Sequence, residues 1–135
     1  MLLGAGGAGS AMGVAMAFER PASLRIFDLD EGRARLLADK VAQANPELPV
    51  EVGLPTTEKI DVLLNATPVG MLGDKRLPMQ LSALPRELIV FDAVVKPGRT
   101  PLLALAERHE CTTVYGGRML TAQIEQIVDF LLTGV

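Results

Sequence analysis

The stretch Gly4–Gly9 constrains this chain more than any other. Gly4, Gly6 and Gly9 stand as G-x-G-x-x-G behind a short apolar run, Met1–Leu3. After them Ala8, Ala11, Met12, Ala15 and Met16 recur at helical spacing. Three glycines at this spacing are a weak signal alone. A strand ahead, a helix behind and an acid at the end of the next strand turn them into a dinucleotide-binding fingerprint. That acid is Asp28, which follows the strand-like run Leu24–Phe27. Gly4 permits the tight turn, Gly6 lets backbone approach a pyrophosphate, and Gly9 lets the helix pack closely on a sheet. The helix N-terminus then presents free N–H groups and a positive dipole end to phosphate. The rival reading is a flexible glycine–alanine turn without a ligand.

Taken in order, the chain alternates strand and helix patterns. Pro21 closes the first helix and Leu24–Asp28 is the second strand. Asp30 caps the next helix, whose buried face is Ala34, Leu37, Ala38 and Val41, and Asn45-Pro46 ends it. Val50–Val52 is a short third strand, Pro55–Lys59 a turn, and Ile60–Asn65 a strongly apolar fourth strand of the kind covered on both faces. Ala66–Arg86 is a long irregular loop, and a loop of that length has a task or packs as short helical turns. Leu88–Asp92 is the fifth strand. Thr100 caps and Pro101 starts a helix over Leu102–Glu110, and Cys111–Tyr115 is the sixth strand. The last helix, Met119–Leu132, carries Leu120, Ile124, Ile127, Val128, Leu131 and Leu132 on one stripe, with Gly134 as its stop. That stripe belongs to a core or a domain interface. The pattern predicts a doubly wound parallel α/β sheet, Rossmann-like, of six strands with helices on both faces, in one domain over 1–135.

Composition narrows the function classes. Apolar residues make up 49% and aromatic residues 4%, so the core is aliphatic and alanine-rich. The formal net charge is −3, and no basic stripe with interleaved aromatics speaks for nucleic acid. A single cysteine, Cys111, excludes a disulfide framework. No apolar run approaches the ~18 residues that span a bilayer, and Met1–Leu3 is too short for a signal-peptide core, so a cytoplasmic location is expected.

In doubly wound sheets the ligand lies beyond the carboxyl ends of the strands. The segments leaving those ends are Gly4–Ala8, Asp28–Asp30, Asn65–Met71, Asp92–Lys96 and Gly116–Met119. They are also the least ordinary stretches of the sequence. Gly4-Ala5-Gly6-Gly7-Ala8-Gly9, Asn65-Ala66-Thr67-Pro68-Val69-Gly70-Met71, Asp92 with Lys96-Pro97 and Thr100-Pro101-Leu102-Leu103, and Gly116 with Met119-Leu120 and Gln123 resemble the shikimate/quinate dehydrogenase family. The resemblance covers essentially the whole chain but only the family's C-terminal, dinucleotide-binding half. It implies reversible hydride transfer between a nicotinamide cofactor and the ring alcohol or ketone of shikimate or quinate. It further implies that Gly6, Gly7 and Ala8 hold the pyrophosphate, with Gly4 and Gly9 shaping the turn. Thr67 and Ala93 would lie along the cofactor, Gly116 beside the nicotinamide, and Gln123 against the substrate.

Three departures from the family's pattern matter. The N-terminal half, which supplies the substrate-binding serines and the catalytic Lys–Asp pair, has no matching positions, so no catalytic residue is assigned in this chain. The first strand reads as clipped, and the chain as a fragment, a truncated product or half of a split enzyme. Val95 stands where family members commonly carry Tyr, which removes a hydroxyl from the substrate side and points to a divergent branch. Asp28-Leu29-Asp30 replaces the Asn-Arg-Thr of NADP-using members. A carboxylate at Asp28 accepts from ribose hydroxyls and repels a 2′-phosphate, and Leu29 offers no guanidinium fork. Arg33 keeps one basic residue at the family's second phosphate contact, so NAD is expected first and NADP as the less favoured cofactor.

The remaining reactive side chains have plainer readings. His109 is a solvated residue at a helix end, with no second ligand at metal spacing. Cys111 is a small buried hydrophobe. Lys96 is a solvated loop lysine before it is a base, and Asp92 an acceptor for nearby backbone N–H groups. Two functional classes stay open: a dehydrogenase half active only with its partner domain, and a stand-alone nucleotide-binding or regulatory module. A different Rossmann oxidoreductase is a weaker third. The partner expected is a small shikimate- or quinate-like substrate, with neither nucleic acid nor membrane, and self-association as a homodimer is left open.

Overall fold

In the computed structural model, which describes residues 1–133, strand β1 (Leu2–Leu3) forms the centre of the sheet. Its two leucines are both fully buried and point to opposite faces, as successive strand residues must. Leu2 joins one hydrophobic core with Leu24, Ile26, Leu37 and Val41, and Leu3 joins the other with Leu63, Val90, Leu102 and Ala106. A strand this short is held because it pairs on both sides, Leu3 with Phe27 on one and with Asn65 on the other.

The elements follow as α1 (Gly7–Phe18), β2 (Leu24–Phe27), α2 (Glu31–Ala44), β3 (Val50–Val52), β4 (Val62–Asn65), β5 (Ile89–Asp92), α3 (Pro101–Arg108), β6 (Thr112–Tyr115) and α4 (Gly116–Thr133). The six strands run parallel in the order β3-β2-β1-β4-β5-β6, so chain direction across the sheet reverses between β1 and β4. This is the doubly wound sheet the sequence predicts. Strands β2, β4, β5 and β6 are one or two residues shorter than their apolar runs. Gly134, the expected helix stop, lies outside the described residues.

Helices α2 and α3 form where their caps place them. Asp30 Oδ1 accepts from the Arg33 amide at 3.2 Å, and Ala34, Leu37 and Val41 are the buried face. Asn45 ends α2, and its Nδ2 donates to the Ala17 carbonyl at 3.0 Å, tying the end of α2 to that of α1. Thr100 Oγ1 accepts from the Leu103 amide at 3.3 Å, with Pro101 in the first turn. Between β4 and β5 the long loop holds one 3₁₀ turn, Met71–Gly73. Beyond it Leu77, Met79, Leu81 and Leu84 pack on the sheet where a crossover helix would otherwise lie.

The buried stripe of α1 is Gly9, Gly13 and Ala17, whereas Ala8, Ala11 and Ala15 are exposed. The helix lies so close to its neighbours that only the smallest residues fit between. A Cβ at Gly13 would meet Leu37 at 3.1 Å and Leu2 at 3.4 Å. For the α4 stripe the sequence leaves core and domain interface both open. The stripe is not core: Leu120, Ile124, Ile127, Val128, Leu131 and Leu132 are all exposed, up to 80% for Leu132. A helix whose apolar stripe is exposed gains little from tertiary contacts within the described residues. No described helix is long and apolar enough to cross a membrane.

Candidate functional site

The glycine turn joins the carboxyl end of β1 to the N-terminus of α1, at the point where strand order reverses. Gly4 has φ +93°, and a Cβ there would meet Ala66 and Thr67 backbone at 2.9–3.0 Å, so only glycine is accommodated. Gly9 faces the turn itself, where a Cβ would run into the Gly4 carbonyl oxygen. Gly6 and Gly7 differ from both. A Cβ at either would meet nothing within 4 Å, so their bare backbone borders open space at the helix N-terminus. Two of the glycines are thus demanded by packing, and two leave room for something else. A helix N-terminus with unblocked N–H groups suits an anion there.

Asp28 stands one strand away. Its Oδ2 accepts from the Ala5 amide at 2.7 Å and its Oδ1 from the Asp30 amide at 2.8 Å. These bonds fix the carboxylate against the glycine turn while each oxygen retains a lone pair. Beside it Phe27, Leu29, Glu31, Val52 and Leu54 line an open pocket of about 330 Å³. Leu29 is 95% exposed. Arg33, the basic residue left at this corner, lies 3.5 Å from Asp30 Oδ2, so its charge is already opposed. The corner is acidic, with Asp28, Asp30 and Glu31 in four consecutive residues.

On the other side of the switch lies an open cleft of about 560 Å³, bordered by Ala8, Thr67, Met71, Leu72, Ala93 to Lys96 and Leu120. Thr67 and Lys96 are its polar side chains. Leu72 is held at φ +52°, in a region a leucine rarely adopts, and is 80% exposed at the rim. Gly116 opens α4 directly against β5: a Cβ there would run into the Ala93 carbonyl. The turn glycines, Asp28, Thr67, Ala93 and Gly116 are therefore gathered along one edge of the sheet. Gln123 lies further along α4, exposed, beyond the residues that border the cleft. A smaller cavity, about 100 Å³, is enclosed by Pro21–Arg25 and Lys59–Val62 at the opposite, amino-terminal edge of the strands. It shares no residue with the glycine turn.

The other singled-out residues fall as follows. Asp92 is fully buried and accepts from the Val94 amide, as expected, and also from two side chains. Burial pushes its carboxyl pKa up, against the pull of these three donors. Cys111 is buried, its Sγ donating to the Pro85 carbonyl at 3.2 Å, and burial pushes its thiol up. His109 is the half-buried C-cap of α3. Among the described residues, no three His, Cys, Asp or Glu are grouped to hold a metal ion. The buried polar partnership of Asn65 and Thr100 with Asp92 escapes sequence reasoning, because its members are far apart in the chain and look like separate cap and turn residues.

No family model matches the chain. Individual relatives do. A shikimate dehydrogenase (NADP(+)) of Haloarcula marismortui is 39% identical over 127 residues, covering 91% of this chain and 45% of its own length. Quinate dehydrogenase from Corynebacterium glutamicum, solved in complex with NAD, superposes at TM-score 0.84 with 33% identity, over 99% of this chain and 49% of its own. The ligand-free 5-ketofructose reductase of Gluconobacter sp. strain CHM43 superposes at 0.85 with 30% identity, over 99% and 50%. The chain spans about half the length of the relatives it matches.

Proposed function

We propose that this chain, related over nearly its whole length to one half of the shikimate/quinate dehydrogenases, is the dinucleotide-binding half of such an oxidoreductase. The observation that carries the reading is the glycine turn: bare backbone at Gly6 and Gly7 facing open space, at the strand-order reversal, with Asp28 clamped beside it. Gly6, Gly7 and Ala8 would hold the pyrophosphate through the α1 N–H groups. Asp28 would accept from the adenosine ribose. Thr67, Ala93 and Gly116 would border the nicotinamide half, and Gln123 would reach a substrate seated from outside. The acidic corner and the paired Arg33 favour NAD over NADP, although relatives of both kinds exist. When bound, the nicotinamide gives or takes a hydride. The substrate class is a ring alcohol or ketone. Val95, and a fold neighbour named for a different ketone, widen that class beyond shikimate itself.

The chain's own side chains explain why it would need a partner domain. Hydride transfer from an alcohol also moves a hydroxyl proton, and general acid–base help is worth roughly 10²–10⁴-fold. The cleft presents one Thr hydroxyl and one Lys but no carboxylate to pair with that lysine. The exposed apolar face of α4, starting at the cleft with Leu120, offers a surface for the substrate domain. The same poverty of polar groups supports the second reading, a nucleotide-binding module without catalysis. Calorimetric titration with NAD and NADP, followed by nicotinamide absorbance with shikimate or quinate, tests both. The chain should bind NAD more tightly than NADP and turn over neither substrate. Fusing a substrate domain ahead of Met1 should restore turnover if the first reading holds and not if the second does. Turnover by the isolated chain that disappears in Lys96→Ala would overturn both and make Lys96 a base.

A further inference from the structure

Asp92 is fully buried and, among the described residues, takes part in no ion pair. Donors from three different segments satisfy it instead. Oδ1 accepts from Asn65 Nδ2 at the end of β4 and from the Val94 amide, both at 3.0 Å. Oδ2 accepts from Thr100 Oγ1 at 2.6 Å, and that hydroxyl itself accepts from the Leu103 amide. Since Thr100 is an acceptor on the α3 side, its proton is the one directed at Asp92. The network then runs on through Asn65. Its Oδ1 accepts from the Thr67 amide at 3.1 Å and from Thr67 Oγ1 at 2.7 Å, and Thr67 Oγ1 accepts from the Val69 amide at 3.3 Å. Backbone bonds reinforce it, Ala93 to the Asn65 carbonyl at 2.8 Å and Leu72 to the Lys96 carbonyl at 3.2 Å. One carboxylate therefore sets the relative position of both loops that wall the cleft, together with the first turn of α3.

Location gives this network a ligand-facing consequence. The phosphate-binding turn and Asp28 occupy the β1–β2 side of the reversal point. A dinucleotide lying across such a crevice places its other half over the ends of β4 and β5. That is where Thr67 and Ala93–Val95 lie, Val94 bonded directly to the buried carboxylate and Thr67 linked to it through Asn65. Resting on the cofactor reading above, we infer that Asp92 is the positioning residue for the nicotinamide half of the dinucleotide. It touches neither cofactor nor substrate, being without exposed surface. It acts by holding Thr67 and the Ala93–Val95 segment at a fixed separation across the cleft.

Comparing NAD with ADP-ribose, which is NAD without the nicotinamide ring, isolates that half. Calorimetric titration of the parent chain should give tighter binding of NAD than of ADP-ribose. In Asp92→Asn the shape is kept but Thr100 loses its acceptor. NAD affinity should fall roughly three- to tenfold, the weight of one buried hydrogen bond, with ADP-ribose affinity within twofold of the parent. Thr100→Val should reproduce this and Thr100→Ser, which keeps the hydroxyl, should not, so the test survives a poorly folding Asp92 variant. An equal loss for both ligands would make Asp92 a fold residue only and overturn the inference. So would an unchanged ratio, or a parent chain that binds the two ligands equally. Absence of any binding of either ligand to the parent chain refutes instead the cofactor reading on which the inference rests.

Discussion

Substituting Gly6 and Gly9 separately distinguishes a binding turn from a packing turn. At Gly6 the backbone has φ −74° and ψ −160°, ordinary values for any residue, and a Cβ would meet nothing within 4 Å. Gly6→Val therefore strains nothing inside the folded chain. Its cost is that of a poorer helix N-cap, under about 1 kcal/mol. What the valine occupies is the space beside the α1 N–H groups. If a pyrophosphate lies there, its loss from that position should weaken NAD by at least ~100-fold, about 2.7 kcal/mol. Gly9→Ala gives the reverse result. Its Cβ collides with the Gly4 carbonyl, a backbone atom that cannot rotate away, so α1 must move off the sheet. Overpacking of this kind costs about 1–3 kcal/mol or more of folding stability. Chemical denaturation reads the stability of both variants and calorimetry reads NAD affinity. A folded Gly6→Val chain with normal NAD affinity would show that the turn is not the phosphate site. A Gly9→Ala chain as stable as the parent would show that the helix does not need its close approach.

Two further substitutions test the corner and the rim. Leu29→Arg should leave stability unchanged, because the side chain is 95% exposed, and should raise NADP affinity relative to NAD by about tenfold through a guanidinium–phosphate fork. An unaltered preference in paired titrations would refute the selector argument. Leu72→Asn should stabilise the chain by up to about 1 kcal/mol, since asparagine tolerates the left-handed backbone that leucine holds at φ +52°. A lower denaturation midpoint would show that Leu72 packs more than its exposure indicates.

The sheet was legible because its signals are local. A glycine turn between strand and helix, Asp30 and Thr100 as caps, and apolar runs at even intervals each specify one element and together specify the order. Helical spacing located α1, but its buried face was not legible: this helix buries Gly9, Gly13 and Ala17, which spacing of apolar side chains does not single out, because they are small. The apolar stripe of α4 was legible as a stripe. Its exposure was not, since sequence pattern carries no information on whether the partner surface lies within the chain. The candidate site was half visible. Gly6 and Asp28 announce themselves through motif spacing, but the Asp92–Asn65–Thr100 network joins residues separated by up to 35 positions of chain and exists only once β4 and β5 pair.

Amide-resolved NMR titration of the isolated chain with NAD tests the central claim most directly. Binding at the proposed crevice should move the Gly6, Gly7 and Ala8 amides first. Those of Leu29 and Gly53 should follow at the acidic corner, and those of Thr67, Val94 and Gly116 across the switch. Shifts confined to Pro21–Arg25 and Lys59–Val62, which line the cavity at the opposite edge, or no shifts at saturating NAD, would contradict it.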